Sequence, residues 1–90
     1  MRDERAVQPA ASDLAAIRDI LARHGRLSVD VHTLQDDSDL YEAGLTSLAT
    51  VNVLLALEGH FDVEFPDTLL SRKTFASLEA IADAVAELVA

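Results

Sequence analysis

Leu78, Ile81, Ala82, Val85, Leu88 and Val89 fall at offsets of 0, 3, 4, 7, 10 and 11, and nothing else in the chain constrains its architecture as tightly. A strand would alternate apolar and polar residues, so this spacing predicts an α-helix with one apolar face. Such a face needs other elements to cover it, and a chain of 90 residues holds a single modest core. Half of the residues are hydrophobic but only 4% are aromatic, with alanine and leucine prominent, which favours helix packed on helix over a sheet.

The remaining apolar pattern completes an all-α fold: a small four-helix bundle of three longer helices and one short one. The first helix is expected from Ser12 or Asp13 to about His24, with Leu14, Ile17, Ile20 and Leu21 inward and Gly25 as its C-terminal stop. A second is expected from about Ser47 to Gly59 or His60, its stripe carried by Leu48, Val51, Leu54 and Leu55, with Phe61 past its end. Pro66 can open a short helical turn over 67–71, and Thr74 or Ser77 can cap the last helix. Residues 1–11 are polar, contain Pro9 and read as a flexible tail, leaving 12–90 as the domain. The connection over 25–46 is long for a helical bundle, which points to a functional loop, and Val29, Val31, Leu34 and Leu40 are its expected anchors.

Net charge is −9 and unevenly spread. Residues 1–35 balance to zero, residues 36–67 hold eight acids and no base, and residues 68–90 carry −1. That field disfavours nucleic acid and anionic membrane, and suits partners with Arg and Lys patches. Without cysteine there is no disulfide framework, and His24, His32 and His60 lack paired metal-ligand spacing. Asp37-Ser38-Asp39 opens like an EF-hand loop but meets Glu42 and Leu48 where glycine and glutamate are needed. No apolar run is long enough to span a membrane and the N-terminus has no apolar signal segment, so a cytoplasmic protein is expected. No catalytic motif stands out.

Within the base-free stretch, Asp39-Leu-Tyr-Glu-Ala-Gly-Leu-Thr-Ser-Leu48 places a serine just after a glycine turn, in the first turn of the second helix. Unpaired N–H groups and the positive end of the dipole favour an anion there. Gly44 can take positive φ where the chain turns, leaving the Ser47 hydroxyl at a surface corner. Two readings stay open on the local pattern: Ser47 caps the helix, or Ser47 is an attachment point for a phosphodiester.

Asp39-Leu40, Gly44-Leu45-x-Ser47-Leu48, Leu57-Glu58, Phe61, Glu64-Phe65-Pro66-Asp67 and Phe75-x-Ser77-Leu78 together resemble an acyl carrier protein, over about residues 13–89. That resemblance implies 4'-phosphopantetheine on Ser47, attached from coenzyme A by a phosphopantetheinyl transferase, and a cargo held as a thioester on the arm. It implies no catalysis by the chain itself: the carrier, a monomer, is a substrate of other enzymes. Two departures matter. The family's usual Asp-Ser-Leu is Thr46-Ser47-Leu48, and a helix face that is typically acidic reads Ala49, Thr50 and Asn52. Both point away from an ordinary fatty-acid carrier.

Ile17–His24, Asp39–Ser47 and especially Phe61–Ser77 are similar to a narrower branch, the rhizobial aminoacyl carrier proteins. The branch implies loading of glycine or alanine by an amino acid:[carrier protein] ligase that resembles a truncated seryl-tRNA synthetase. It also implies a partner surface in which Leu45, Thr46, Leu48 and Ala49 frame the arm's exit and Leu69, Arg72 and Lys73 extend the contact, with Asp36, Asp37, Asp39 and Glu42 setting the local field. The alternatives are an acyl or peptidyl carrier of fatty-acid, polyketide or non-ribosomal peptide synthesis, and a plain acidic interaction domain in which Ser47 only caps a helix.

Overall fold

The computed structural model describes residues 11–89, so the expected tail lies outside the described residues except for Ala11. Among the described residues three α-helices form: α1 (Ala11–His24), α2 (Ser47–Phe61) and α3 (Leu78–Val89). Three short 3-10 turns, Val31–Thr33, Asp67–Leu69 and Arg72–Phe75, lie between them. Helix α1 contacts both α2 and α3, while residues 72–75 pack on α3. The shared core gathers Ile17, Leu21, Leu40, Val53, Leu57, Leu78, Ile81 and Val85.

Helix α1 is already helical at Ala11, the first described residue, ahead of both expected starts. At its end Gly25 follows the last helical residue, as expected of a C-terminal stop, but takes no left-handed conformation itself. Gly25 N–H donates to Leu21 O at 2.8 Å, and a Cβ there would sit 2.7 Å from the same oxygen. The left-handed residue is Arg26, at φ 53°.

The second helix departs most from expectation. Its buried face is Ala49, Val53 and Leu57, four residues apart, whereas Leu48, Val51 and Leu55 are 77%, 51% and 60% exposed. Both faces are apolar, so the pattern could not say which one turns inward. The helix also runs through Gly59 to Phe61 and ends at Asp62, whose φ of 55° suits an aspartate and whose N–H donates to Glu58 O.

The expected short fourth helix is absent as a continuous element. Leu70 and the extended Ser71 separate the turns Asp67–Leu69 and Arg72–Phe75. This path places Phe65 and Phe75 in a stack with ring centroids 5.9 Å apart. The N–H of Phe65 donates to a Glu58 carboxylate oxygen at 2.9 Å, so the only acid within α2 also anchors this segment.

The 25–46 connection is a folded element with its own ties. Val31 and Leu40 are buried as expected, but Val29 is exposed. Asp30 caps the first 3-10 turn, and the His32 backbone N–H bonded to its carboxylate holds that acid below its ordinary range. Arg18 reaches from α1 to the carbonyls of Val31 at 2.7 Å and Leu34 at 2.9 Å, and pairs with Asp36 at 2.8 Å. Asp36 O in turn accepts from Glu79 N–H, and Ala76 O from Leu40 N–H, fastening the loop to the start of α3. Arg18→Ala removes two charge-assisted bonds to backbone carbonyls and is expected to cost about 2 kcal/mol, or roughly 10 °C in Tm, measurable by thermal unfolding. Asp36→Ala, which loses only an exposed ion pair, is expected to cost less than half as much.

Candidate functional site: the Ser47 corner

The turn before α2 is built so that Ser47 is left over. Leu40 and Leu45 are buried, and Leu45 N–H closes the turn onto Leu40 O at 3.0 Å. Asp39 Oδ1 accepts from Tyr41 N–H at 2.9 Å, and Gly44 follows at φ 112°. Thr46 is extended and acts as the N-cap, its hydroxyl accepting from Ala49 N–H at 3.1 Å.

Ser47 is therefore the first helical residue and not the cap. Its side chain is exposed, and among the described residues none of the side-chain hydrogen bonds involves its hydroxyl. The two amides that open the helix, those of Ser47 and Leu48, have no intrahelical acceptor, which leaves donors and the positive dipole end at this corner. Thr46 also explains how the family's usual aspartate can be absent. Threonine supplies a cap of similar geometry without the negative charge.

Beside Ser47 lies an open cleft of about 350 Å³ between α2 and residues 70–75. Thr50, Val51, Leu54, Leu70 and Phe75 give it a mostly apolar lining. Tyr41 and Arg72 close one side: the Arg72 guanidinium carbon stands 3.8 Å from the Tyr41 ring centroid, and the Tyr41 hydroxyl donates to Arg72 O at 2.9 Å. Burial pushes the Tyr41 phenol above its ordinary value, with the Arg72 charge partly opposing. Pairing of Tyr41 with a base 31 positions away leaves no trace in local periodicity, and sequence reading missed it.

The predicted partner residues divide. Leu45 and Ala49 are buried beneath the corner and support it instead of offering contact surface. Thr46, Leu48, Arg72 and Lys73 are exposed around Ser47 and along the neighbouring segment, and Leu69 is half-buried. Leu48, Val51 and Leu55 add an exposed apolar ridge along α2. Of the acids expected to set the local field, Asp36 is engaged by Arg18 and Asp39 by the turn, while Asp37 and Glu42 are exposed. No described helix is long and apolar enough to cross a membrane.

The profile of the family described as "Phosphopantetheine attachment site" matches residues 13–85. The aminoacyl carrier protein of Agrobacterium fabrum is 55% identical over 71 residues, 79% of this chain and 86% of that protein. Among solved structures, the carrier protein from Agrobacterium tumefaciens, crystallised with an engineered Bradyrhizobium japonicum glycine:[carrier protein] ligase and AMP, superposes with a TM-score of 0.78 at 54% identity, covering 80% of this chain and 96% of that one. The solution structure of a holo acyl carrier protein from Nitrosomonas europaea gives a TM-score of 0.73 at 38% identity, covering 82% and 92%. With its three-helix architecture, its exposed serine at the start of α2 and these relatives, the chain belongs to the phosphopantetheine-attachment family of carrier proteins, in its aminoacyl carrier branch.

Proposed function

We propose that Ser47 carries 4'-phosphopantetheine and that the arm accepts glycine or alanine as a thioester from a ligase resembling seryl-tRNA synthetase. The carrying observation is the division of labour at α2: Thr46 takes the cap, which leaves the Ser47 hydroxyl exposed and uncommitted. On attachment a P–O bond forms to Ser47 Oγ, the pyrophosphate link of coenzyme A breaks with release of adenosine 3',5'-bisphosphate, and the serine proton passes to a base of the phosphopantetheinyl transferase. The amides of Ser47 and Leu48 then face the new phosphodiester. When bound, the arm supplies a thiol that holds the cargo as a thioester; the chain's own residues provide the anchor, the local charge and the docking surface.

The carrier unit in this reading is the domain over 12–90, with the 3-10 turns Asp67–Leu69 and Arg72–Phe75 taken as its short fourth helical element. A phosphopantetheinyl transferase and an amino acid:[carrier protein] ligase are its partners in this reading. Three features favour a ligase over the enzymes of fatty-acid synthesis. Thr46 has no charge, α2 has Glu58 as its only acid, and Leu48, Val51 and Leu55 form an exposed apolar ridge. Support from relatives lies in the Agrobacterium fabrum aminoacyl carrier and in the Agrobacterium tumefaciens carrier seen with a glycine:[carrier protein] ligase.

Loading of the holo protein separates the cargo readings. With ATP, a glycine:[carrier protein] ligase, and glycine or alanine, the expected outcome is an aminoacyl mass on the arm. With malonyl-coenzyme A and a malonyl transferase, little transfer is expected. Loading by malonyl alone would replace the aminoacyl reading with that of an acyl carrier, for which the apolar cleft beside Ser47 could shelter a chain.

A further inference from the structure

Among the described residues, Arg72 is the only charged side chain on the wall of the cleft beside Ser47. Tyr41 holds it at two points: the phenol hydroxyl bonds its carbonyl at 2.9 Å, and the ring face lies 3.8 Å from its guanidinium carbon. None of the ion pairs among the described residues engages Arg72, although residues 36–67 hold eight acids. A guanidinium stacked on an aromatic face keeps its in-plane N–H donors available, and those donors match the oxygens of a phosphate. Its neighbour Lys73 is exposed and off the cleft wall, so two adjacent bases with the same expected role are separated by the fold.

We propose that Arg72, set in place by Tyr41 on the wall of the cleft beside Ser47, binds the phosphodiester of the arm on Ser47. The proposal rests on Ser47 being the attachment site. Attachment adds a negative charge within a segment that already carries −8, and Arg72 is the base placed to offset it. Tyr41 is a positioning residue: its ring orients the guanidinium and its hydroxyl fixes the main chain from which Arg72 projects.

The test uses the full chain, converted from apo to holo with coenzyme A and a transferase, and followed by intact mass and by NMR of arginine Nε–H groups and of phosphorus. In the wild type, the Arg72 Nε–H signal is expected to shift on conversion and to return toward its apo position in about 1 M salt, where screening acts within about 3 Å. Arg72→Gln should move the phosphorus resonance from its wild-type position at low salt, Arg72→Lys should restore it in part, and Tyr41→Leu should weaken the salt-sensitive shift. Arg72 is exposed, so its two variants should keep the apo fold, which the backbone spectrum checks for them and for Tyr41→Leu. An Arg72 signal unmoved in a fully converted protein, with the phosphorus resonance alike in wild type and Arg72→Gln, would overturn the proposal while leaving attachment intact. A wild type that gains no mass would overturn the attachment and the Arg72 contact together.

Discussion

Ser47→Ala is expected to gain no phosphopantetheine when incubated with coenzyme A and a transferase, and consequently to accept no amino acid from a ligase. The loss should be complete, because the P–O bond has no other oxygen at that corner in the right place. The hydroxyl of the preceding Thr46 is taken up by the cap, accepting from Ala49 N–H, and that of Thr50 donates to Thr46 O. Stability should hardly change: the Ser47 hydroxyl makes no bond among the described residues, so unfolding is expected within about 0.5 kcal/mol of the wild type. Thr46→Ala gives the converse pattern, losing about 1 kcal/mol with the cap while still accepting the arm. Intact mass and thermal unfolding of the two variants together distinguish a modified serine from a capping one.

Gly44→Ala is expected to be the more damaging change for the fold. Gly44 sits at φ 112°, beyond the left-handed region that asparagine or aspartate tolerates, and a Cβ would stand 2.8 Å from Ser28 N and 3.0 Å from Ser28 Oγ. Neither atom can withdraw cheaply, since Ser28 N–H and Ser28 Oγ both bond Ala43 O at 2.9 Å. Backbone strain of 1–3 kcal/mol with a forced shift of the 28–43 pairing gives about 3 kcal/mol in all, or roughly 10 to 20 °C in Tm. The turn that presents Ser47 would be disturbed along with the loop. A Tm change of about 1 °C or less would mean that the turn is not held as the Ser28 contacts indicate.

Legibility of the sequence differed from element to element. Helix α3 was readable because Leu78, Ile81 and Val85 mark its inward face at helical spacing and the charged Glu79, Asp83 and Glu87 mark its outer one. Helix α2 was readable as a helix but not in its orientation. Ala49, which is buried, is small, while Leu48, Val51 and Leu55, which are exposed, are large, and no charge marks the outer face. That ambiguity arises where apolar residues remain on the surface beside the site.

The corner itself was legible as Gly44 followed by a serine at a helix start, but the choice between cap and attachment depended on a single hydroxyl. Threonine and serine at adjacent positions both favour capping, and only the bond from Ala49 N–H to Thr46 assigns that role. The ties made by Arg18 and by Tyr41 with Arg72 span 13 to 31 positions. Helical or strand periodicity cannot reveal pairings at that separation, and each became visible only when the chain was folded.

Trypsin offers a direct reading of the central claim, because the base-free stretch leaves a single peptide from Leu27 to Arg72. Fragmentation of that peptide after conversion with coenzyme A and a transferase places the added group among its hydroxyls, Ser28, Ser38, Thr46, Ser47 and Ser71 among them. The expected result is one phosphopantetheine, bracketed between the fragments that flank Ser47. An unmodified peptide, or the group on Thr46, Ser38 or Ser71, would contradict the account.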